Sequence, residues 1–263
     1  MSWERTIGRV SFINCEPLFH GLEDSWNVLP APPSWLTGHL IRRDCIIAPI
    51  PAADYAKHSN DLVLIPDLSI SSRGEVGSVL LFGSMDIESM KSIALPSDSA
   101  SSVALLQYLI TKRGLNPKYI EMGPDLDSML GECDGCLLIG DRALEGARAH
   151  PEMVKMDLGS EWNFVSGHPM VFGVFAARRD SDLDLVKSAY NALLSRLESF
   201  EDNESVRSEV IRVSSEKSSQ SISRLERYFG EVINRMNSSD MEGLKSFLKT
   251  ACMMDGQVRM AWS

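Results

Sequence analysis

Short apolar runs alternate with stretches whose apolar residues recur three and four apart, and this continues for two-thirds of the chain before the short runs stop. That alternation predicts strands near residues 26–29, 45–50, 62–65, 93–95, 119–122, 136–139 and 170–177. Between them it predicts helices over 35–42, 51–57, 103–112, 125–130 and 141–148. Residues 68–82 read as a polar Ser-Ser-Arg-Gly turn leading into a strand. Beyond Arg178 the period is helical only, over 183–200, 205–213, 222–236 and 241–253. The α/β rhythm restarts at Ser84, so the pattern predicts two α/β lobes, with a helical tail covering the first. The chain is expected to cross between them near 81–84 and 170–177.

The first unit holds the richest polar chemistry. Val10, Phe12 and Ile13 have a buried strand's composition, Ser11 and Asn14 put polar groups at its end, and Pro17 suits a helix's first turn. A strand ending on polar residues before a helix N-terminus is where open α/β proteins hold ligands. The same pattern recurs at Ser71-Ser72 and at Ser99-Ala100-Ser101-Ser102, which feeds the helix predicted from 103. One serine-rich turn is ordinary local capping, but its recurrence at successive turns points to an anion site of hydroxyls and backbone N–H groups.

Composition narrows the classes. The chain has 263 residues and a net charge of −10, which argues against nucleic acid or an anionic membrane as partner. No apolar run reaches about 18 residues, and the acidic start Met-Ser-Trp-Glu lacks a secretory leader's apolar core, so a cytoplasmic protein is expected. The five cysteines read as reduced thiols. Cys133 and Cys136 have CxxC spacing but neither a second pair nor a nearby histidine, which argues against zinc. His20, His39, His58 and His150 show no ligand spacing, and no phosphate loop or nucleophile elbow is present. No metal or cofactor is expected.

The segment Gly8-Arg9-Val10-Ser11-Phe12-Ile13-Asn14, followed by Pro17-Leu18, resembles the opening of the chorismate dehydratases of the futalosine route to menaquinone. Further segments in the same order are similar to that family. They include Pro33-Ser34-Trp35-Leu36, Gly77-Ser78-Val79-Leu80-Leu81, Ser101-Ser102-Val103-Ala104-Leu105, and Ile139-Gly140-Asp141-Arg142-Ala143-Leu144. Asp67-Leu68-Ser69-Ile70-Ser71-Ser72, Asp157-Leu158-Gly159 with Trp162, Gly167-His168-Pro169-Met170-Val171-Phe172 and Gly243-Leu244 with Phe247 complete the set.

The resemblance implies a two-lobed, periplasmic-binding-protein-like fold of type II, with mixed sheets and a helical C-terminal tail. Residues 1–83 with 173–263 would form one lobe and 84–172 the other, with the ligand cleft between them. It implies dehydration of chorismate to 3-[(1-carboxyvinyl)oxy]benzoate without a cofactor. Asn14 would be the catalytic residue, acting by position. Ser11, Ser71, Ser72, Ser99, Ser101, Ser102, Gly140, Asp141 and His168 would bind substrate. Arg73 is the nearest basic candidate in the sequence, at a position the family does not fix.

Cys15-Glu16, Ala100 and His168 depart from the family pattern, and the lost positive charge could weaken or shift dianion binding. Two other readings stay open: the sister enzyme that splits a cyclised nucleoside intermediate, and a non-catalytic small-anion solute-binding protein.

Overall fold

The computed structural model describes residues 2–262. Two mixed sheets carry the fold. The first has six strands in the order β11-β4-β10-β3-β1-β2. These are β1 (Thr6–Val10), β2 (Asn27–Ala31), β3 (Ile47–Pro51), β4 (Leu62–Ser72), β10 (Met170–Arg178) and β11 (Ile233–Arg235). The second has five, in the order β7-β6-β8-β5-β9. They are β5 (Val79–Gly83), β6 (Ser92–Pro96), β7 (Lys118–Met122), β8 (Gly135–Ile139) and β9 (Val154–Asp157).

β1 lies parallel to β2 and β3, and β6 lies parallel to β7 and β8. These parallel strands are joined through helices, as such pairing requires. In the first half the helices are α1 (Glu16–Phe19), α2 (Pro33–Ile41) and α3 (Ala52–His58). Around the second sheet they are α4 (Ala100–Lys112), α5 (Leu126–Glu132), α6 (Gly140–Ala149) and α7 (Leu158–Ser166). The tail supplies α8 (Leu183–Asp202), α9 (Glu204–Ser218), α10 (Ile222–Glu231) and α11 (Ser238–Thr250). α8 and α9 pack on α1, and α11 packs on β10. The tail thus packs against elements of the first sheet.

The return strand β10 runs antiparallel between β3 and β4, wholly in the first sheet. It is buried along nearly its whole length, which explains its unbroken apolar run. Three details differ from the sequence expectation. Residues 79–83, expected in the first lobe, form β5, which pairs with β8 and β9 of the second sheet. Residues 170–172, expected in the second lobe, open β10 of the first. The chain thus passes between sheets at 73–78 and at 167–169. The tail is not purely helical either. The helix predicted over 222–236 stops at Glu231, and Ile233–Arg235 adds an edge strand beside β4.

β9 and α7 went unpredicted. Asp157 starts α7 by accepting a hydrogen bond from Ser160 N–H. All five cysteines are free. No helix among the described residues is long and apolar enough to cross a membrane. Among the described residues, no group of three or more His, Cys, Asp or Glu side chains is placed to hold a metal ion.

Candidate functional site

A cavity partly open to solvent, with about 550 Å³ of empty space, is lined from both sheets. The first contributes Val10, Pro49, Ile50, Ile70, Phe172 and Gly173, and the second contributes Val79 and Ile139. These walls are apolar, and among the described residues no ionisable side chain lines the space. Its polar groups are the amide of Asn14 and the hydroxyls of Ser78, Ser99, Ser101 and Ser102. The cavity combines broad apolar walls with a few convergent polar groups, the usual composition of a small-molecule site.

Asn14 sits in a single 3-10 turn, Ile13–Cys15, between β1 and α1. The strand ends at Val10, earlier than its composition predicts, and Phe12 enters the turn in an extended conformation. Pro17 falls in the first turn of α1, as expected. Asn14 is 8% exposed, and its Oδ1 is buried with no hydrogen-bond partner among the described residues. An unpaired buried acceptor costs on the order of 1–3 kcal/mol, a cost that a ligand donor would relieve.

Ser99, Ser101 and Ser102 surround the N-terminus of α4, where Ser99 is the N-cap but its side chain makes no cap hydrogen bond. Ser101 Oγ accepts from Ala53 N–H at 3.1 Å, and Ser34 Oγ accepts from Ala100 N–H at 3.3 Å. Both bonds join α4 to helices packed on the first sheet. α6 begins at Gly140, whose N–H donates to the Ser78 carbonyl at 2.8 Å. Two helix N-termini therefore meet the cavity, each bringing partial positive charge without a cation.

Gly140 has φ +60, and a Cβ there would fall 2.5 Å from the Phe12 ring. Only glycine combines that backbone with so close an approach. Phe12 also meets Arg142, whose guanidinium lies 5.2 Å from the ring centre and pairs with Asp98 at 2.6 Å.

Of the ten residues predicted for the site, Asn14, Ser99, Ser101, Ser102 and Gly140 line this cavity. The other five do not. Ser71 and Ser72 belong to β4 rather than to a turn and are fully buried. Ser71 Oγ donates to the Ile233 carbonyl of β11, and Ser72 Oγ donates to the Gly74 carbonyl. His168 lies beyond α7, with its carbonyl accepting from Asn163 Nδ2 and its N–H donating to Ser166 Oγ. Arg73 is paired with Asp240, which is fully buried.

Ser11 and Asp141 face a separate outer hollow with Arg9, Glu16 and Lys217. Asp141 Oδ1 accepts from Ile13 N–H at 3.1 Å. Burial raises its pKa to about 6, with Glu16 pushing the same way against the Ile13 hydrogen bond, Arg142 and Arg9. Glu16, 2% exposed, is held by Arg9 and by Lys217 of α9 at 2.6 Å. Its charge is thus answered locally and does not line the cavity.

Ser78 also lines the cavity, although the sequence pattern assigns it only to the stretch leading into a strand. It is 3% exposed, and its Oγ accepts from Tyr228 OH at 3.0 Å. The Gly77-Ser78 pair at a strand entrance was the available signal.

Two sheets joined by two chain crossings, with a cavity lined from both, define a protein of the periplasmic-binding-protein fold. Solved structures agree on the fold. Protein AF1704 from Archaeoglobus fulgidus superposes with a TM-score of 0.77 at 16% identity, covering 94% of this chain and 96% of that one. The alkanesulfonate-binding protein SsuA from Xanthomonas axonopodis pv. citri, bound to MOPS, gives 0.68 at 12% identity, covering 97% and 95%. A Candida albicans protein described as having the generic periplasmic binding protein fold gives 0.67 at 15%, covering 96% and 91%.

Residues 5–252 match the family model for menaquinone biosynthesis, and the chain belongs to that family. It is also 33% identical to the chorismate dehydratase of Thermus thermophilus over 191 residues, which covers 66% of this chain and 70% of that protein.

Proposed function

We propose that this chain is a chorismate dehydratase, a hydro-lyase of menaquinone biosynthesis, and that the cavity between its two lobes is the substrate site. The family and the named relative support the activity over both the nucleoside-cleaving sister enzyme and a purely binding role. The observation that carries the site is Asn14, whose amide oxygen is buried beside the cavity without a partner. We place its action in the cytoplasm, on a small soluble dianion.

Chorismate carries two carboxylates, a cyclohexadiene ring and an allylic hydroxyl. Loss of the ring proton beside the ether oxygen gives a carbanion conjugated with the ring carboxylate. That carbanion expels the neighbouring hydroxide, which leaves as water after taking up a proton, and the ring becomes aromatic. Aromatisation drives the step, so the protein's part is positioning, charge stabilisation and exclusion of water.

The residues divide this work. The serine hydroxyls and the N-termini of α4 and α6 hold the carboxylates, and the apolar walls keep water away. Asn14 holds the departing hydroxyl by its amide and does not take the proton, since an amide has no useful basicity near pH 7. With no ionisable side chain among the described residues on the lining, the proton acceptor in this reading is a carboxylate of the substrate itself.

The test is to mix purified protein with chorismate and follow the aromatic product by absorbance and mass. The expected result is 3-[(1-carboxyvinyl)oxy]benzoate formed in proportion to enzyme. Chorismate bound without turnover would overturn the assignment in favour of a binding protein.

A further inference from the structure

A hollow separate from the central cavity lies between α6 of the second sheet and the α9–α10 turn of the tail, with about 1030 Å³ of empty space open to solvent. Three arginines meet there, Arg148, Arg224 and Arg227, in a chain whose net charge is −10. Like charges gathered at one place repel unless something answers them.

The acids available answer only part of that charge. Glu145 is 3.6 Å from Arg148, one turn away on α6, and Glu231 is 2.8 Å from Arg224. Even at 2.8 Å the Arg224–Glu231 pair is not aligned as a hydrogen bond, so Nη1 and Oε2 are both buried without one. Arg227 makes no ion pair among the described residues. Three cations against two acids leave one positive charge over.

A second and independent observation points to a ligand. Gln220 lines this hollow and is 4% exposed, yet its amide Nε2 has no hydrogen-bond partner among the described residues. A buried N–H donor without an acceptor is costly to keep. It stands next to the start of α10, a helix of ten residues whose N-terminus, capped by Ser221, adds partial positive charge. The donors here are guanidinium, amide and helix N-terminus, which together are complementary to oxygen-borne negative charge.

We propose that this hollow binds a small, multiply charged oxyanion, a phosphate or a compact polycarboxylate, which ties α6 of the second lobe to the tail packed on the first. Arg148 reaches it from α6, whereas Arg224, Arg227 and Gln220 reach it from the tail. A bound anion would thus span the two lobes outside the substrate cavity.

The experiment titrates inorganic phosphate, and in a second arm citrate, into the full chain by calorimetry at constant ionic strength set with sodium chloride. Saturable one-site binding is expected, and whichever anion binds more tightly identifies the chemistry as phosphoryl or carboxylate. The double variant Arg148→Gln, Arg227→Gln should weaken binding at least tenfold. Both side chains are solvent-facing, and an unchanged circular dichroism melt would show that the fold is kept. Gln220→Leu should weaken binding as well. Ser102→Ala should leave the anion's affinity unchanged, because that serine belongs to the other cavity. Heats that never saturate, or an affinity untouched by the arginine substitutions, would overturn the proposal. So would loss of binding in Ser102→Ala, which would put the anion in the substrate cavity instead.

Discussion

Asp141, at the start of α6, reaches across to the other half of the molecule and accepts a hydrogen bond from the backbone N–H of Ile13 at 3.1 Å. The next residue along the first segment is Asn14, and the residue before Asp141 is Gly140. The bond therefore fixes two cavity residues against each other without entering the cavity itself.

The burial of Asp141, which outweighs this hydrogen bond, makes stability depend on pH in a defined direction. Burial raises the Asp141 pKa from 3.8 to about 6, so between those values the folded chain binds more protons than the unfolded one. The stability contributed by this group is full below about pH 3.8 and is lost as pH rises through about 6. Asp141→Asn keeps an acceptor for Ile13 N–H and removes the titration. Thermal melts from pH 4 to 7 should fall less steeply in the variant than in the parent. Identical slopes would show that Asp141 does not titrate in this window.

Asn14→Ala should reduce kcat by about two to three decades, the usual cost of losing one preorganised polar contact, or roughly 2.7–4 kcal/mol. Asn14→Asp keeps the shape but sets a negative charge beside a dianion, so KM should rise as kcat falls. Steady-state kinetics on chorismate separate the two. Turnover near that of the parent in Asn14→Ala would remove the residue from the mechanism, and a faster Asn14→Asp would mean that a base is wanted there.

A base carried by the substrate predicts a flat profile. Between about pH 7 and 9, kcat should vary less than threefold, since none of the described residues brings an ionisable side chain to the cavity lining. A decline below about pH 6 would report Asp141 at the edge of the site. A steep limb near neutrality would reveal an enzyme group acting as base.

Tyr228→Phe deletes the donor to Ser78 Oγ and leaves a ring of nearly the same shape in a buried position. The loss of stability should be about 1 kcal/mol. KM should rise severalfold as the Ser78 hydroxyl becomes free to rotate. An unchanged KM with a lowered melting temperature would make the bond structural only.

Gly140→Ala forces a side chain into the left-handed region at φ +60 and against Phe12. The backbone alone should cost about 1–2 kcal/mol, and displacement of Phe12 should cut activity further. Kinetics and melts on the variant would show both effects, whereas an active, stable Gly140→Ala would mean that the ring moves aside freely.

Much of this was legible in the chain because period and turn chemistry are local. The restart of α/β alternation, the return strand near 170 and the serines at the start of α4 all follow from neighbours in sequence. What escaped depends on partners far apart. Ser71 and Ser72 look like a polar turn, but their hydroxyls bond to carbonyls, one on a strand 162 residues away, so they can be buried within β4. β11 is three residues long and leaves no period to detect. Ser78 and Tyr228 meet across 150 positions, and neither marks the other. Arg73 looked like a free cation because the acid that binds it, Asp240, lies in the tail.

The tail's link to Glu16 changes what a shortened chain would be. Lys217 is one of the two cations that answer this buried carboxylate, which sits two residues from Asn14. A chain ending before α9 would lose that counter-charge along with the helix. Deletion at the C-terminus would act on the outer hollow as a change of charge, leaving a buried carboxylate half answered two residues from Asn14.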